Sequence, residues 1–189
     1  LVASLKGSFV TEIHTADLTG DGKAEIVWTT GWRAETSDPL PGGYLSVNGK
    51  TITLAQDAHA TFNGCALGDF NGDGKADLAW QNGNNHVVAV WLMNGPKIAS
   101  VGFPGSAPGE WQIKGIGDVN GDGKSDLIWK HSSLDGVAIW LMNGSTISSV
   151  GFLASVPSEW EIEEVGDVNG DEKADLVWRN KNSGLVGVW

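Results

Sequence analysis

Oxygen-bearing side chains recur at alternate positions in four short stretches of this chain, a pattern suited to holding a hard divalent cation. The stretches begin at Asp17 (D-L-T-G-D-G-K-A-E), Asp69 (D-F-N-G-D-G-K-A-D), Asp118 (D-V-N-G-D-G-K-S-D) and Asp167 (D-V-N-G-D-E-K-A-D). Positions one, three, five, seven and nine are Asp17, Thr19, Asp21, Lys23 and Glu25 in the first loop, and Asp69, Asn71, Asp73, Lys75 and Asp77 in the second. The third loop has Asp118, Asn120, Asp122, Lys124 and Asp126, and the fourth Asp167, Asn169, Asp171, Lys173 and Asp175. Calcium takes about six to eight oxygens from carboxylates, amides, backbone carbonyls and water. The acidic and amide residues would supply side-chain oxygens, and each lysine its carbonyl. Without a cation, carboxylates held this close repel one another.

The donor chemistry narrows the ion. All-oxygen ligands disfavour zinc, and magnesium rarely takes a dedicated protein cage. An EF-hand is rejected because Trp80 stands at position twelve, where that loop needs a bidentate glutamate. Up to four structural calcium ions are therefore expected, held most strongly by the second and third loops. Loop one departs at Thr19 and Glu25. In loop four Glu172 replaces a glycine, which costs about 1 kcal/mol if that position needs positive φ.

Catalytic chemistry finds no matching constellation. His14, His59, His86 and His131 fall at unrelated points of the repeat, and no nucleophile elbow, zinc motif or phosphate loop occurs. The chain reads as a non-enzyme. Cys65 is the single cysteine, which excludes an intrachain disulfide and reads as a buried thiol.

The elements that position these loops follow from the repeat. The loop starts are 52, 49 and 49 residues apart, and Trp28, Trp80, Trp129 and Trp178 each follow the last acid by three residues. V-A-V-W-L-M-N-G ending at Gly95 matches V-A-I-W-L-M-N-G ending at Gly144. Each unit parses into four short strands, a to d; in the third they run about 111–118, 126–131, 136–142 and 146–152. Asn-Gly pairs at 48–49, 94–95 and 143–144 signal c–d hairpins in which both residues tolerate positive φ. No helical period is present.

The expected fold is all-β: a single β-propeller domain over 1–189 with four-stranded antiparallel blades at about 8–54, 62–103, 111–152 and 160–189 plus 1–6. The N-terminal strand 1–6 would complete the fourth blade and close a ring of four. A swapped dimer or a fragment of a larger propeller leaves the same trace. D-x-N-G-D-G-K-x-D between two strands resembles the FG-GAP/VCBS repeat of integrin α-subunit propellers, bacterial surface proteins and some fungal propeller lectins. That resemblance covers all four units and implies one calcium per blade. Such propellers usually have seven blades.

Charge and composition bound the partners. Twelve basic against 23 acidic residues give a formal charge of -11, which argues against nucleic acid and anionic membranes. Thirteen of those acids lie in the four loops, and four divalent ions would bring the net charge to -3. No apolar run approaches membrane-spanning length, so no membrane insertion is expected. The sequence begins at Leu1 without a signal peptide, as a mature or excised extracellular domain would, and an oligomer is possible.

In an up-and-down blade the a–b metal loops and c–d turns share one face, leaving b–c and d–a loops on the other. Aromatic and amide side chains there suit sugars, whose C–H faces stack on rings while hydroxyls take hydrogen bonds. Candidate ligand residues are Trp32, Trp111, Trp160, Asn82, His86, His131 and Arg179. The strand b and c tryptophans read as packing; Trp111 and Trp160 stay open between packing and binding. The expected partner is a carbohydrate or glycoprotein, the alternative a protein–protein scaffold or an appended non-catalytic domain.

Overall fold

The computed structural model describes residues 10–30, 42–47, 50–56 and 62–189. Among them the chain is all-β, with four antiparallel sheets and no helix. The first sheet runs β1 (Val10–Ala16), β2 (Glu25–Thr30), β3 (Gly42–Val47) and β4 (Lys50–Gln56). The second runs β5 (Phe62–Gly68), β6 (Asp77–Asn82), β7 (Val87–Asn94) and β8 (Lys97–Ser106). The third runs β9 (Trp111–Gly117), β10 (Asp126–His131), β11 (Gly136–Asn143) and β12 (Thr146–Ser155). The fourth has β13 (Trp160–Gly166), β14 (Asp175–Asn180) and β15 (Val186–Val188). Each is an up-and-down, propeller-like blade whose consecutive strands pair.

Burial explains the sequence pattern within a blade. The b and c strands are near-continuous apolar runs because both faces are covered: all of β10 is buried, as is most of β7 and β11. The outer d strand is largely exposed, as in β12. Core clusters fill the spaces between successive sheets. Phe70, Val88 and Val90 of the second unit pack with Leu127, Trp129 and Met142 of the third. Ile128, Val137 and Ile139 pack with Leu176 and Trp178. Leu18 and Val27 pack with Leu78, Trp91 and Met93.

The repeated tryptophans are mostly packing residues. The strand b and c rings pair inside each blade, Trp80 with Trp91 at 5.3 Å, Trp129 with Trp140 at 4.8 Å and Trp178 with Trp189 at 5.1 Å between centroids. Trp129 and Trp178 are buried between blades, whereas Trp189 is exposed.

Ring closure reaches beyond the described residues, and the turn reading needs correction. Strands a of successive blades neighbour in order (β1, β5, β9, β13), but the described sheets are not closed into a ring. The proposed closing strand, 1–6, lies outside the described residues. Among the described residues the fourth sheet has an uncovered face. Val168, Val186, Val188 and Trp189 are exposed there, although Leu18 and Phe70, at Val168's repeat position, are fully buried against the next blade.

The c–d turns also differ. Asn94 pairs with Lys97 and Asn143 with Thr146, so the two-residue loops are Gly95-Pro96 and Gly144-Ser145. Only the glycines have positive φ, 60° and 61°, as the first loop residue of a type II′ turn requires. The asparagines end the ladder instead. The pair at 48–49 lies outside the described residues.

Candidate metal loops and the opposite face

Each metal loop is wound around its first aspartate. Asp69 Oδ1 accepts the N–H groups of Gly72 (2.7 Å) and Asp73 (3.2 Å), and Oδ2 that of Gly74 (2.7 Å). Asp118 takes Gly121, Asp122 and Gly123 at 2.7, 3.1 and 2.7 Å. Asp17 and Asp167 repeat the pattern, each with a further N–H from position three. At Asp17 desolvation is the largest single effect and opposes them, yet these bonds together hold the carboxyls of Asp17 and Asp167 below their ordinary values. Next, Asn71 Oδ1 accepts from Asp73 N at 2.8 Å, and Asp73 Oδ1 from Lys75 N at 3.0 Å.

The ninth residue does something the motif alone does not announce. Asp77 is fully buried; its Oδ2 accepts Phe70 N at 3.0 Å and its Oδ1 Met93 N at 2.7 Å. Asp126 is equally buried and takes Val119 N at 3.1 Å and Met142 N at 2.9 Å. These carboxylates clamp the loop entrance to strand c. Burial pushes Asp77 up to about 6, with the charges of Asp69 and Asp73 adding to the rise despite both hydrogen bonds. Asp126 is raised by the same causes. Glu25, one methylene longer, still reaches Leu18 N at 2.9 Å. Asp175 bonds Val168 N at 3.0 Å and the Asn169 amide at 3.3 Å.

The loops also join the blades. Backbone carbonyls of Asp17, Asp69 and Asp118 accept the N–H of Ala76, Ser125 and Ala174, position eight of the following loop, at 2.7–2.8 Å. Leu18 O and Phe70 O accept from Gly95 and Gly144 of the next blade's c–d turn. The lysines at position seven reach across the same face: Lys75 Nζ donates to Asn94 Oδ1 at 3.1 Å and Lys124 Nζ to Asn143 Oδ1 at 2.9 Å. Lys23 pairs with Asp21 at 3.2 Å.

As a donor set the loops suit calcium. Every side chain at positions one, three, five and nine offers oxygen, and a carboxylate oxygen carrying one N–H, such as Oδ2 of Asp69 and Asp118, keeps a second acceptor direction. Among the described residues no three His, Cys, Asp or Glu side chains are gathered as a ready-made cage. The acids are turned toward backbone N–H groups, and a cation would draw them together.

Loop four shows the strain that its sequence suggests. Glu172 has φ 67°, where its counterparts Gly22, Gly74 and Gly123 have 82°, 80° and 80°. Glu172→Gly should therefore stabilise the chain by about 0.5–1 kcal/mol, the left-handed penalty reduced by glycine's larger unfolded entropy. Paired urea melts read this directly; an unchanged or lowered midpoint counts against the strain.

On the opposite face the candidate ligand residues have mixed fates. Asn82 Oδ1 accepts Asn84 N at 2.8 Å and Asn85 N at 3.3 Å, and His131 Nδ1 accepts Leu134 N at 3.0 Å and Ser133 N at 3.2 Å. Asn180 Oδ1 does the same for Asn182 and Ser183. Three equivalent residues thus fold the b–c loops. Trp111 packs edge-on against His131 (5.0 Å) and Phe152 (5.5 Å). Trp160 is half-buried against the cluster containing Trp178. His86 has φ 60° and its carbonyl accepts Ala107 N, while Arg179 Nε donates to Glu163 at 2.6 Å. Trp32 lies outside the described residues.

Sequence reasoning named Arg179, which follows the fourth strand b tryptophan, but passed over its counterparts Gln81 and Lys130. Gln81 Nε2 donates to Ala107 O at 2.7 Å, and Lys130 Nζ to Val156 O at 3.0 Å; both side chains are buried. A polar residue closing an apolar strand was the available signal.

Among the described residues no helix is long and apolar enough to cross a membrane. No curated protein matches the chain. The family model described as FG-GAP-like repeat matches residues 69–129 and 118–178, each span running from one loop's first aspartate to the next unit's strand b tryptophan. Such repeats are generally non-catalytic and typically extracellular, which suggests a binding or adhesion module. With well over half its length matched, the chain belongs to the FG-GAP-like repeat family.

Proposed function

We propose that this chain is a secreted or cell-surface binding module, braced by calcium in its a–b loops and taking a carbohydrate on its b–c and d–a loops. One observation carries the reading. The oxygen-rich loops are linked blade to blade by backbone hydrogen bonds on one face, which leaves the opposite face free to vary on a rigid support. Calcium would be held by Asp69, Asn71, Asp73 and Asp77 with the Lys75 carbonyl, and by their counterparts. It would neutralise the loop carboxylates whose charge adds to the rise that burial causes at Asp77 and Asp126. The variable face carries half-buried Trp111 and Trp160 beside amide and charged groups, which suits sugar recognition.

A glycan array probed with calcium and with EDTA tests this. Binding to at least one glycan class, lost in EDTA, is expected. Calcium-independent binding would remove the bracing role, and silence across diverse glycans would favour a protein-binding scaffold. Exposed Phe103 and Phe152 on the outer strands are the observation on that second side.

A further inference from the structure

A groove of about 420 Å³ lies between the third and fourth sheets, lined from β9, β10 and β13 and from the loops after β10, β12 and β14, which contribute Ser132, Ser158 and Lys181. Gln112, Lys114, Lys130, His131, Glu161 and Glu163 contribute to its wall. Its size suits one or two sugar rings. Lys130 is 8% exposed, and its ammonium sits 5.4 Å from the Trp178 ring centroid. Burial pushes its pKa down.

The repeat supplies an internal control for this lysine. One blade earlier Gln81 occupies the equivalent place and makes the equivalent bond to a d–a loop carbonyl. A neutral amide therefore meets the structural need. An ammonium in its place must be desolvated, which costs free energy that an amide does not. Its three N–H donors have one protein acceptor, the Val156 carbonyl.

The rest of the groove points the same way. Its acids are already engaged: Glu161 pairs with Lys181 at 3.2 Å and Glu163 with Arg179 at 2.6 Å. Among the described residues neither Lys114 nor Lys130 forms an ion pair. His131 Nδ1 is occupied as an acceptor, which places the hydrogen of the neutral ring on Nε2. One blade earlier, the positions of Gln112, Lys114 and Lys130 are Asn63, Cys65 and Gln81, all neutral. The lysines at these places belong to this interface and are not a demand of the repeat, while its Glu161 and Glu163 stand where the preceding blade pair has Gln112 and Lys114.

We propose that the groove between the third and fourth blades binds the carboxylate or sulfate group of an acidic saccharide, with Lys130 as the anion anchor and Lys114 at the rim. This rests on the carbohydrate reading and narrows it to one site and one ligand class.

Calorimetric titrations of the calcium-loaded chain test it. The probes are the methyl glycosides of glucuronic acid, N-acetylneuraminic acid and glucose 6-sulfate, with methyl glucoside as the neutral reference. At least one acidic probe should bind tenfold or more tighter than the reference, and which one does separates carboxylate from sulfate. Lys130→Gln, which copies Gln81, should abolish that preference while keeping the wild-type melting temperature. Lys114→Gln, clear of the buried bond, should weaken it about threefold and keeps the test intact if the first variant misfolds. No acidic preference in the wild type, or a preference unchanged in Lys130→Gln, overturns the proposal. Equal binding of acidic and neutral probes would do so while leaving the carbohydrate reading in place.

Discussion

Asp126→Ala should destabilise the chain by about 2–5 kcal/mol, since the variant strands one buried and one half-buried N–H group at roughly 1–3 kcal/mol each. The carboxylate is fully buried and receives Val119 N from the loop entrance and Met142 N from strand c. Alanine offers neither an acceptor nor room for water to replace both. For a chain of this length the loss corresponds to a drop in melting temperature of about 10 °C. Asp126→Asn keeps one oxygen but sets an NH2 group against the other donor, so about half the loss is expected. The gain from no longer burying a charge moderates both values, because desolvation already raises this carboxyl. Thermal melts at neutral pH in EDTA isolate the clamp from any ion. A variant that melts within 2 °C of wild type would mean that the two N–H groups find other acceptors.

Calcium withdrawal should have an effect of similar size. A site saturated at 100 times its dissociation constant contributes about 2.7 kcal/mol, so two such sites in loops two and three would together contribute roughly 5 kcal/mol. The cause is electrostatic. Burial raises the proton affinity of Asp77 and Asp126 most, and the charges of Asp69 and Asp73, and of Asp122 and Asp118, add to it, so a bound divalent charge would relieve that repulsion. The melting temperature should fall by about 10–20 °C on adding EDTA. It should recover with calcium and recover poorly with magnesium. Loops one and four should fill last, the first for Thr19 and Glu25 and the fourth for the strained Glu172.

How much of this was legible depends on whether a feature is local. The strands of the third unit are readable to within about a residue at most ends, because apolar runs and glycine-bearing turns are written into adjacent positions. Strand β12 runs on to Ser155 because Gly136 and Val137 of β11 pair with Ser155 and Ala154, a register visible only once the strands meet. Positive φ at Glu172 was legible from its glycine counterparts.

Long-range partners were not legible. Alternation placed Asp77 in an ion's shell; nothing in the nine-residue motif announces Met93 N, sixteen residues on. Asn82 and His131, read as ligand residues, are loop caps because their acceptor atoms face N–H groups two and three residues ahead. That bond is local, yet histidine in the role of asparagine hides it. Lys130 carried no sequence signal of its own, and only its burial beside Trp178 sets it apart. Ring closure rested on a likeness between two distant strands, and the fourth sheet keeps exposed the face that its three predecessors cover.

Calorimetric titration of calcium into the EDTA-stripped, dialysed chain addresses the central point most directly. At least two exothermic or endothermic equivalents per chain are predicted, with one equivalent lost in Asp73→Asn and one in Asp122→Asn. A featureless titration at millimolar calcium would leave the loops as hydrogen-bonded turns with no ion to hold.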